Sequence, residues 1–215
     1  MQLLSINVSK PLPVNYQGRT LNTGIFKLPV AGKVWLSELN LADDGQADLI
    51  HHGGADKAVC VYSVEHYPFW EEKLQRKLVY GAFGENFTVS GLAEAEIHVG
   101  DVYAVGEAVV QVSQPRQPCF KLGYKHQAPA LPEQIQSTGY TGFYFRVLKP
   151  GYATAGEIIR LVERHPGGVT IADAHRLRNT DVRDIKAIRE LLSVDALSDS
   201  WRKSFERKLN AELNS

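Results

Sequence analysis

Residues 101–119, DVYAVGEAVVQVSQPRQPC, predict two short strands followed by a proline-rich loop. The runs 101–106 and 107–113 are rich in β-branched and aromatic residues, as strands are. Because proline has no N–H to donate to a sheet, the second strand should stop at Pro115. Cys119 is therefore expected just after a strand end, near the start of the next helical segment.

The same strand pattern recurs through the first three quarters of the chain. Five further runs show it: LLSINV (3–8), GKVWLSEL (32–39), KAVCVY (57–62), GFYFRVL (142–148) and GEIIRLVER (156–164). Many short strands separated by glycine and proline predict a mostly β (α+β) fold with a curled or barrel-like β-domain, residues 1–165. Helices are expected to interrupt it over 63–77, from Lys121, and over 128–136.

After residue 168 the pattern changes to three short helices, which predict a C-terminal module over residues 169–215. The candidate N-caps are Thr170 with Asp173, then Thr180 or Asp181, then Ser198. Three helices also fit a helix-turn-helix that binds DNA. From Thr170 onward, however, nine Lys/Arg face eight Asp/Glu. Such balance is unfavourable for phosphate-backbone contacts, so we expect a structural or docking module and no nucleic-acid partner.

The composition excludes several classes of protein. The 215 residues are 44% hydrophobic with a formal net charge of +0, which indicates a globular chain without a basic stripe. We expect neither a secretory signal nor a membrane span, which needs ~20 consecutive apolar residues, and hence a cytoplasmic protein. Two cysteines are too few for a disulfide scaffold or an iron–sulfur cluster. The sequence shows no evident nucleotide-phosphate loop either, so any redox chemistry needs electrons delivered from elsewhere.

Cys119 is the leading candidate for chemistry. A cysteine at a helix start beside cations favours the thiolate form, and Arg116 and Lys121 flank it in sequence. Both cations could equally hold a phosphate, Arg through its planar fork and Lys as a point charge. The alternative is that Cys119 is a small buried hydrophobe, as many free cysteines are. Cys60, between valines in a strand pattern, is expected to serve packing.

Two glycine-rich segments carry further candidates. In HHGGADK (51–57), adjacent glycines permit an anion-binding nest of N–H groups, with Lys57 adding charge and His52 a donor. In GAFGEN (81–86), the carboxylate of Glu85 and the amide of Asn86 can match the polar edge of a heterocycle. The alternatives are a tight turn before one strand and a loop entering the next. No spacing of histidines and cysteines resembles a zinc frame.

Together these segments resemble the MOSC domain, the molybdenum-cofactor sulfurase C-terminal domain, in its stand-alone YiiM-like branch with a C-terminal three-helix module. The resemblance covers essentially the whole chain. It rests on HHGGADKAV (51–59), YSVEHYPFW (62–70), GAFGENFTVSGL (81–92), IHVGDVYAVG (97–106), VSQPRQPCFKL (112–122) and TGYTGFYFRVLKPG (138–151), with LLSINVSKP (3–11) and TGIFKLPVAGKV (23–34) before them.

The resemblance implies a barrel-like β-fold that binds a molybdenum–pterin cofactor (molybdopterin), with Cys119 as catalytic residue and metal ligand. Cofactor-binding residues implied by matching position are His52, Gly53, Gly54, Asp56, Lys57, Glu85, Asn86, Arg116, Lys121 and Arg146. One departure from the family pattern is Asp43, which stands where such proteins usually carry a glycine before the acidic residue.

The implied reaction is reduction of N-hydroxylated compounds, such as 6-hydroxylaminopurine-type base analogues, with electrons from a separate flavoprotein reductase. Protons would come through Glu85, His52 or a bound water. The alternative is a carrier that holds the cofactor or sulfur without turnover. We expect a monomer or a homodimer.

Overall fold

The computed structural model of the chain describes residues 1–181 and 183–213, without the side chains of Ile50, His51 and Leu213. The strands are β1 (Gln2–Val8), β2 (Leu12–Tyr16), β3 (Arg19–Thr23), β4 (Leu28–Pro29), β5 (Lys33–Leu36), β6 (Val59–Ser63), β7 (Phe87–Ser90), β8 (Val102–Val105), β9 (Ala108–Pro115), β10 (Phe143–Lys149), β11 (Gly151–Thr154) and β12 (Ile159–Glu163). The helices are α1 (Leu49–His52), α2 (Tyr67–Leu74), α3 (Phe120–His126), α4 (Leu131–Thr138), α5 (Ile171–Asn179), α6 (Ile185–Ser193) and α7 (Asp199–Leu213).

Eight strands form one curled sheet in the order β12-β8-β9-β10-β6-β7-β1-β4. Neighbours are antiparallel except β6 and β7, which run parallel. The curl brings the start of β1 back to β12, where Leu3 N–H donates to the Glu157 carbonyl at 2.9 Å and Ile159 N–H to the Met1 carbonyl at 3.1 Å. The expected mostly β, barrel-like fold with interspersed helices is confirmed, as a half-barrel.

The strand predictions are largely confirmed, and β9 ends at Pro115 as its missing N–H requires. The hairpin of β2 and β3 was not predicted. Its two-residue turn places Gln17 at φ 51° and Gly18 at φ 77°, the positive values that tight hairpins need. Gln-Gly is a weak turn signal because glutamine seldom adopts positive φ, and for that reason the hairpin was missed.

Two of the three N-caps predicted for the C-terminal helices agree with the structure, and one does not. Thr170 and Asp173 form the expected reciprocal capping box at the start of α5. The expected cap of the second helix at Thr180 or Asp181 is wrong, because α6 begins at Ile185 and Asp184 caps it by accepting from Ala187 N–H. At the start of α7, the Ser198 hydroxyl lies 3.4 Å from Trp201 N.

The module shares the main hydrophobic core with the sheet. Val110 and Phe145 of the sheet belong to the same buried cluster as Leu177, Leu191 and Trp201 of the module. A second hydrophobic cluster, rich in aromatic rings, packs against α2, α3 and α4. The half-barrel wall thus has the C-terminal helices behind it and the aromatic cluster beside the loop that carries Cys119.

Candidate active site

A cavity lies where β9 leads into α3, facing the loops that follow β3 and precede α1. Six of the residues expected at the site lie on its wall: His52, Lys57, Asn86, Arg116, Cys119 and Lys121. They come from three separate segments, so the fold brings together groups that are up to 69 positions apart in sequence.

Cys119 lies at the turn between strand and helix. Its backbone is extended, with φ −112° and ψ 160°, and its carbonyl accepts from Leu122 N–H at 3.0 Å in the first turn of α3. The residue is half-buried and packs partly against the aromatic cluster. A free thiol on the cavity wall, held by a helix start and by packing, is well placed to bind a metal centre from one side.

Three cations line the same wall. Arg116 is buried, and its Nη2 donates to the Phe83 carbonyl at 2.5 Å, which fixes the direction of the guanidinium. Lys57 and Lys121 are half-buried. Burial lowers the pKa of Lys57, as expected for an ammonium that is partly removed from water.

The wall keeps a net positive charge. A fourth cation, Lys27, forms a buried ion pair with Asp44, whose carboxylate also accepts from Ser9 N–H at 2.9 Å. The carboxylate of Asp48 also lines the cavity. Lys57, Arg116 and Lys121 therefore outnumber the acidic charge, and an anionic ligand is favoured there.

The pKa of His52 reflects the positive charge of this wall. Burial, followed by the charges of Lys121 and Arg116, lowers its pKa to about 4. The imidazole is therefore neutral at pH 7, since protonation would place a further positive charge on an already positive wall. A neutral imidazole can accept and donate hydrogen bonds, and an anion in the cavity would raise its pKa.

Cys60 and Tyr144 reach the same wall, although neither was expected at the site. Cys60 is buried in β6 as its pattern predicted, and burial raises the pKa of its thiol. Tyr144 lies opposite it on β10, with its pKa raised by burial and then by the neighbouring Cys60. The alternation of strand β10 gave a signal: Phe143 and Phe145 belong to the core, so Tyr144 must face the other side.

The structure places Glu85 off the cavity wall. Its fully buried carboxylate accepts from the Tyr67 hydroxyl (2.5 Å), Gly81 N–H (2.9 Å), Phe83 N–H (2.9 Å) and the Thr88 hydroxyl (2.8 Å). Four donors use both oxygens, so the carboxylate holds the 81–88 loop in place. It has neither the access nor the spare hydrogen-bonding capacity to match a heterocycle or to relay protons.

Asn86 lines the cavity, yet its amide is also used within the protein. Its Oδ1 accepts from Cys60 N–H at 3.1 Å, and its Nδ2 donates to Asp44 at 2.9 Å and to the Asn7 carbonyl at 3.3 Å. These bonds tie β6, β1 and the Asp44 turn together beside the cavity. Shaping the wall is therefore its visible role.

Four further expected site residues lie away from the wall. Asp56 and Arg146 form an ion pair in which Arg146 Nη2 lies 2.5 Å from Asp56 Oδ1. Gly54 adopts φ 95°, and a Cβ on Gly53 would lie 2.9 Å from the Leu49 carbonyl oxygen. Both glycines are required by the local backbone, whatever the ligand.

Asp43, the departure from the family pattern, keeps the turn that a glycine would favour. It adopts φ 60°, a left-handed conformation that aspartate tolerates better than most residues. The next residue, Asp44, still reaches Lys27 and Asn86. The substitution therefore leaves the wall of the cavity intact.

Two family models match the chain: the MOSC domain over residues 48–160 and the YiiM-like 3-alpha helix domain over residues 169–212. The chain belongs to the MOSC family. The MOSC match contains the loop of Cys119 and Arg116, whereas the cavity-lining residues 23–25, 27 and 45–47 lie before it in sequence. MOSC domains are associated with molybdenum-cofactor binding in their family.

Relatives of this MOSC protein agree with that assignment. It is 50% identical to the uncharacterized protein YflK of Bacillus subtilis over 96% of this chain and 93% of that protein. The crystal structure of YiiM from Geobacillus stearothermophilus matches with a TM-score of 0.84 and 43% identity, covering 97% of this chain and 98% of that one. A protein named reductase from Gibberella moniliformis is 31% identical over 85% of this chain, which spans 34% of the fungal protein.

The donor set of the MOSC cavity fits a cofactor that brings its own metal ligands. Among the described residues, no group of three or more His, Cys, Asp or Glu is arranged to hold a metal ion. One half-buried thiol on a cationic wall instead suits a metal that arrives inside an anionic cofactor and takes a single protein thiolate. In the described part of the chain, no helix has the length and apolar character that a membrane span requires.

Proposed function

We propose that this protein is a molybdenum-cofactor-dependent reductase of N-hydroxylated compounds, 6-hydroxylaminopurine-type base analogues among them. It would act in the cytoplasm with electrons from a separate flavoprotein reductase. The observation that carries the proposal is the cavity itself: Cys119 with Lys57, Arg116 and Lys121 on one wall of a MOSC-family chain. The reductase name of the fungal relative favours the same class of reaction.

Different residues would bind the metal and the phosphate of the cofactor. Cys119 would be the protein ligand of the metal, because it is half-buried, whereas burial raises the pKa of the Cys60 thiol and keeps it protonated. Lys57, Arg116 and Lys121 would bind the negative charge of the pterin phosphate. When bound, the cofactor supplies the two-electron chemistry that removes the oxygen of the substrate.

Proton supply falls to the cavity wall. The reduction of R–NHOH takes two electrons and two protons and gives R–NH2 and water. Glu85 is sealed inside its loop, which leaves His52 and water among the routes considered. His52 is neutral at pH 7 and lies on the wall, so it can accept a proton from solvent and pass it on.

Metal and pterin content test the proposal most directly. The protein is purified from cells that make the cofactor, as wild type, Cys119→Ser and Cys60→Ser. We expect one molybdenum per chain in wild type and Cys60→Ser, and a loss of most of it in Cys119→Ser. Cys60→Ser is the matched control, because that thiol lines the same cavity. Wild type without molybdenum or pterin would rule the proposal out.

Turnover separates a reductase from a carrier. Chemically reduced holoprotein is mixed with 6-hydroxylaminopurine, and its reoxidation is followed by absorbance together with release of the amine. Reoxidation that depends on the substrate, with stoichiometric amine, is the expected result. Holoprotein that stays reduced in the presence of substrate would instead identify a cofactor carrier.

A further inference from the structure

The C-terminal module has no part in the reaction proposed above, yet its last helix reaches the segments that carry the cavity. Ser198 N–H donates to the Ser113 carbonyl at 3.0 Å, and the Ser200 hydroxyl donates to Gln114 Oε1 at 3.3 Å. Ser113 and Gln114 are buried at the end of β9, and Arg116 follows two residues later. The start of α7 therefore contacts the strand end that positions the Cys119 loop.

A second contact joins α7 to the turn that carries Lys57. Asp199 N–H, at the first position of α7, donates to Asp56 Oδ2 at 3.0 Å. The first N–H groups of a helix have no partner within it, and the positive end of the helix dipole favours a carboxylate there. Asp56 thus caps a helix of the other domain, while Arg146 binds its second oxygen at 2.5 Å.

Ser113 links the two contacts. The Ser113 hydroxyl lies 2.6 Å from the Asp56 carbonyl oxygen and 3.1 Å from the Tyr144 carbonyl oxygen. Three segments of the cavity wall, those of Lys57, Arg116 and Tyr144, are therefore tied together where α7 docks. Moving the start of α7 would move the backbone of all three.

We propose that docking of the C-terminal module positions the cofactor site, and that Asp56 and Arg146 are positioning residues for it. The identity of the ligand rests on the proposed function. Coupling between two sites is reciprocal: if docking of α7 tightens binding in the cavity, binding in the cavity tightens docking by the same factor. Typical couplings change affinity about 5- to 150-fold.

Point variants at the contact test this coupling, because deleting the module would expose the core that it shares with the sheet. Asp56→Ala removes the cap of α7, and Ser200→Ala removes the bond to Gln114. The matched control is Gln136→Ala, since Gln136 Nε2 lies 2.5 Å from Asn179 Oδ1 and joins α4 to the module through residues that do not line the cavity. Each variant is compared as holoprotein with wild type.

The first readout is the rate at which molybdenum and pterin leave the holoprotein, with the thermal midpoint recorded alongside. We expect release on the order of ten times faster from Asp56→Ala and measurably faster from Ser200→Ala, with the wild-type rate in Gln136→Ala. A role in stability alone would lower the midpoint of all three variants without separating their release rates. Equal release from Asp56→Ala, Ser200→Ala and Gln136→Ala would overturn the proposal.

The second readout is hydrogen exchange of the Asp199 amide in wild type, which needs no variant to fold. Exchange should be slower in the holoprotein than in the metal-free protein, and unchanged exchange would count against the coupling. Metal-free protein with saturating inorganic phosphate repeats the measurement with a simple anion. If native protein carries no molybdenum, the proposed function fails. The phosphate comparison then still tests the coupling: slower exchange of the Asp199 amide supports it, and unchanged exchange overturns it.

Discussion

Replacing Glu85 by glutamine distinguishes a carboxylate that holds a loop from one that contacts a ligand. Oε1 of Glu85 accepts three hydrogen bonds, whereas Oε2 accepts only from Phe83 N–H. Glutamine can keep its oxygen at the first position, which places its NH2 group against the Phe83 N–H. One buried bond to a charged acceptor is lost and the remaining three lose their charge.

The size of the effect follows from these bonds. A hydrogen bond to a charged group contributes about 1.5–3 kcal/mol, so Glu85→Gln should lower the free energy of unfolding by about 2–4 kcal/mol. For a chain of this size that is a fall in Tm of roughly 5–15 °C. Glu85→Ala leaves four buried donors unpaired at about 1–3 kcal/mol each, a sum comparable to the whole stability of a domain, about 5–15 kcal/mol. We therefore expect the alanine variant not to fold.

Urea unfolding followed by fluorescence gives the change in midpoint, and Glu190→Gln provides the control. Glu190 lies 3.9 Å from Lys186 on the exposed face of α6, where an ion pair contributes at most about 0.5 kcal/mol. The decisive comparison is between stability and cofactor content. If Glu85→Gln unfolds at the wild-type midpoint but no longer retains molybdenum, Glu85 contacts the cofactor and our reasoning about its loop is wrong.

Two further predictions concern the cavity wall, and a third concerns the glycine that precedes β10. Lys121→Ala should raise the pKa of His52 above about 4, because Lys121 is, after burial, the leading cause that lowers it. An NMR titration of the ring protons checks this, and an equal rise in the exposed Lys186→Ala would refute it. The folded pKa of His52 lies below the unfolded value of 6.5, so its neutral form contributes stability above pH 6.5 that is lost as the pH falls towards about 4. Urea midpoints at pH 7 and pH 5 should therefore differ less in His52→Gln than in wild type. Gly142→Ala should cost roughly 3 kcal/mol or more, because its Cβ would lie 2.3 Å from the Val61 carbonyl oxygen at φ 73°. Gly156→Ala, at φ 96° with open space around it, should cost only about 1–2 kcal/mol, and equal urea midpoints for the two variants would contradict the steric argument.

Strand ends and helix caps could be predicted from the sequence where the signal lies in neighbouring residues. Pro115 ends β9 because it lacks an N–H, and Thr170 with Asp173 caps α5, because both signals act within four residues. The predicted N-cap of α6 was wrong for a physical reason. Thr180, Asp181 and Asp184 are all good N-caps by residue type, and the choice among them depends on where Ile188 and Leu191 must be buried.

The cavity was predictable only as a set of candidates. A strand end, two prolines and flanking cations singled out the loop of Cys119, and the structure places that thiol on the wall. Cys60 and Tyr144 reach the same wall from β6 and β10, and their nearness depends on strand register between residues 84 positions apart. The alternation of β10 shows only which side Tyr144 faces. No local pattern contains the register, so the meeting of the second thiol and the phenol at this wall was not predicted.

Membership of a motif and contact with the cavity are different properties, and the turn at Ala55–Lys57 shows why. It is a single turn of 3₁₀ helix, in which successive side chains point about a third of a turn apart. Lys57 consequently faces the cavity, while Asp56 beside it faces Arg146 and the start of α7. One short motif can therefore bind a ligand with one residue and hold a neighbouring domain with the next. For that reason we expect Asp56→Ala to affect cofactor release through α7, and not through a lost contact with the cofactor.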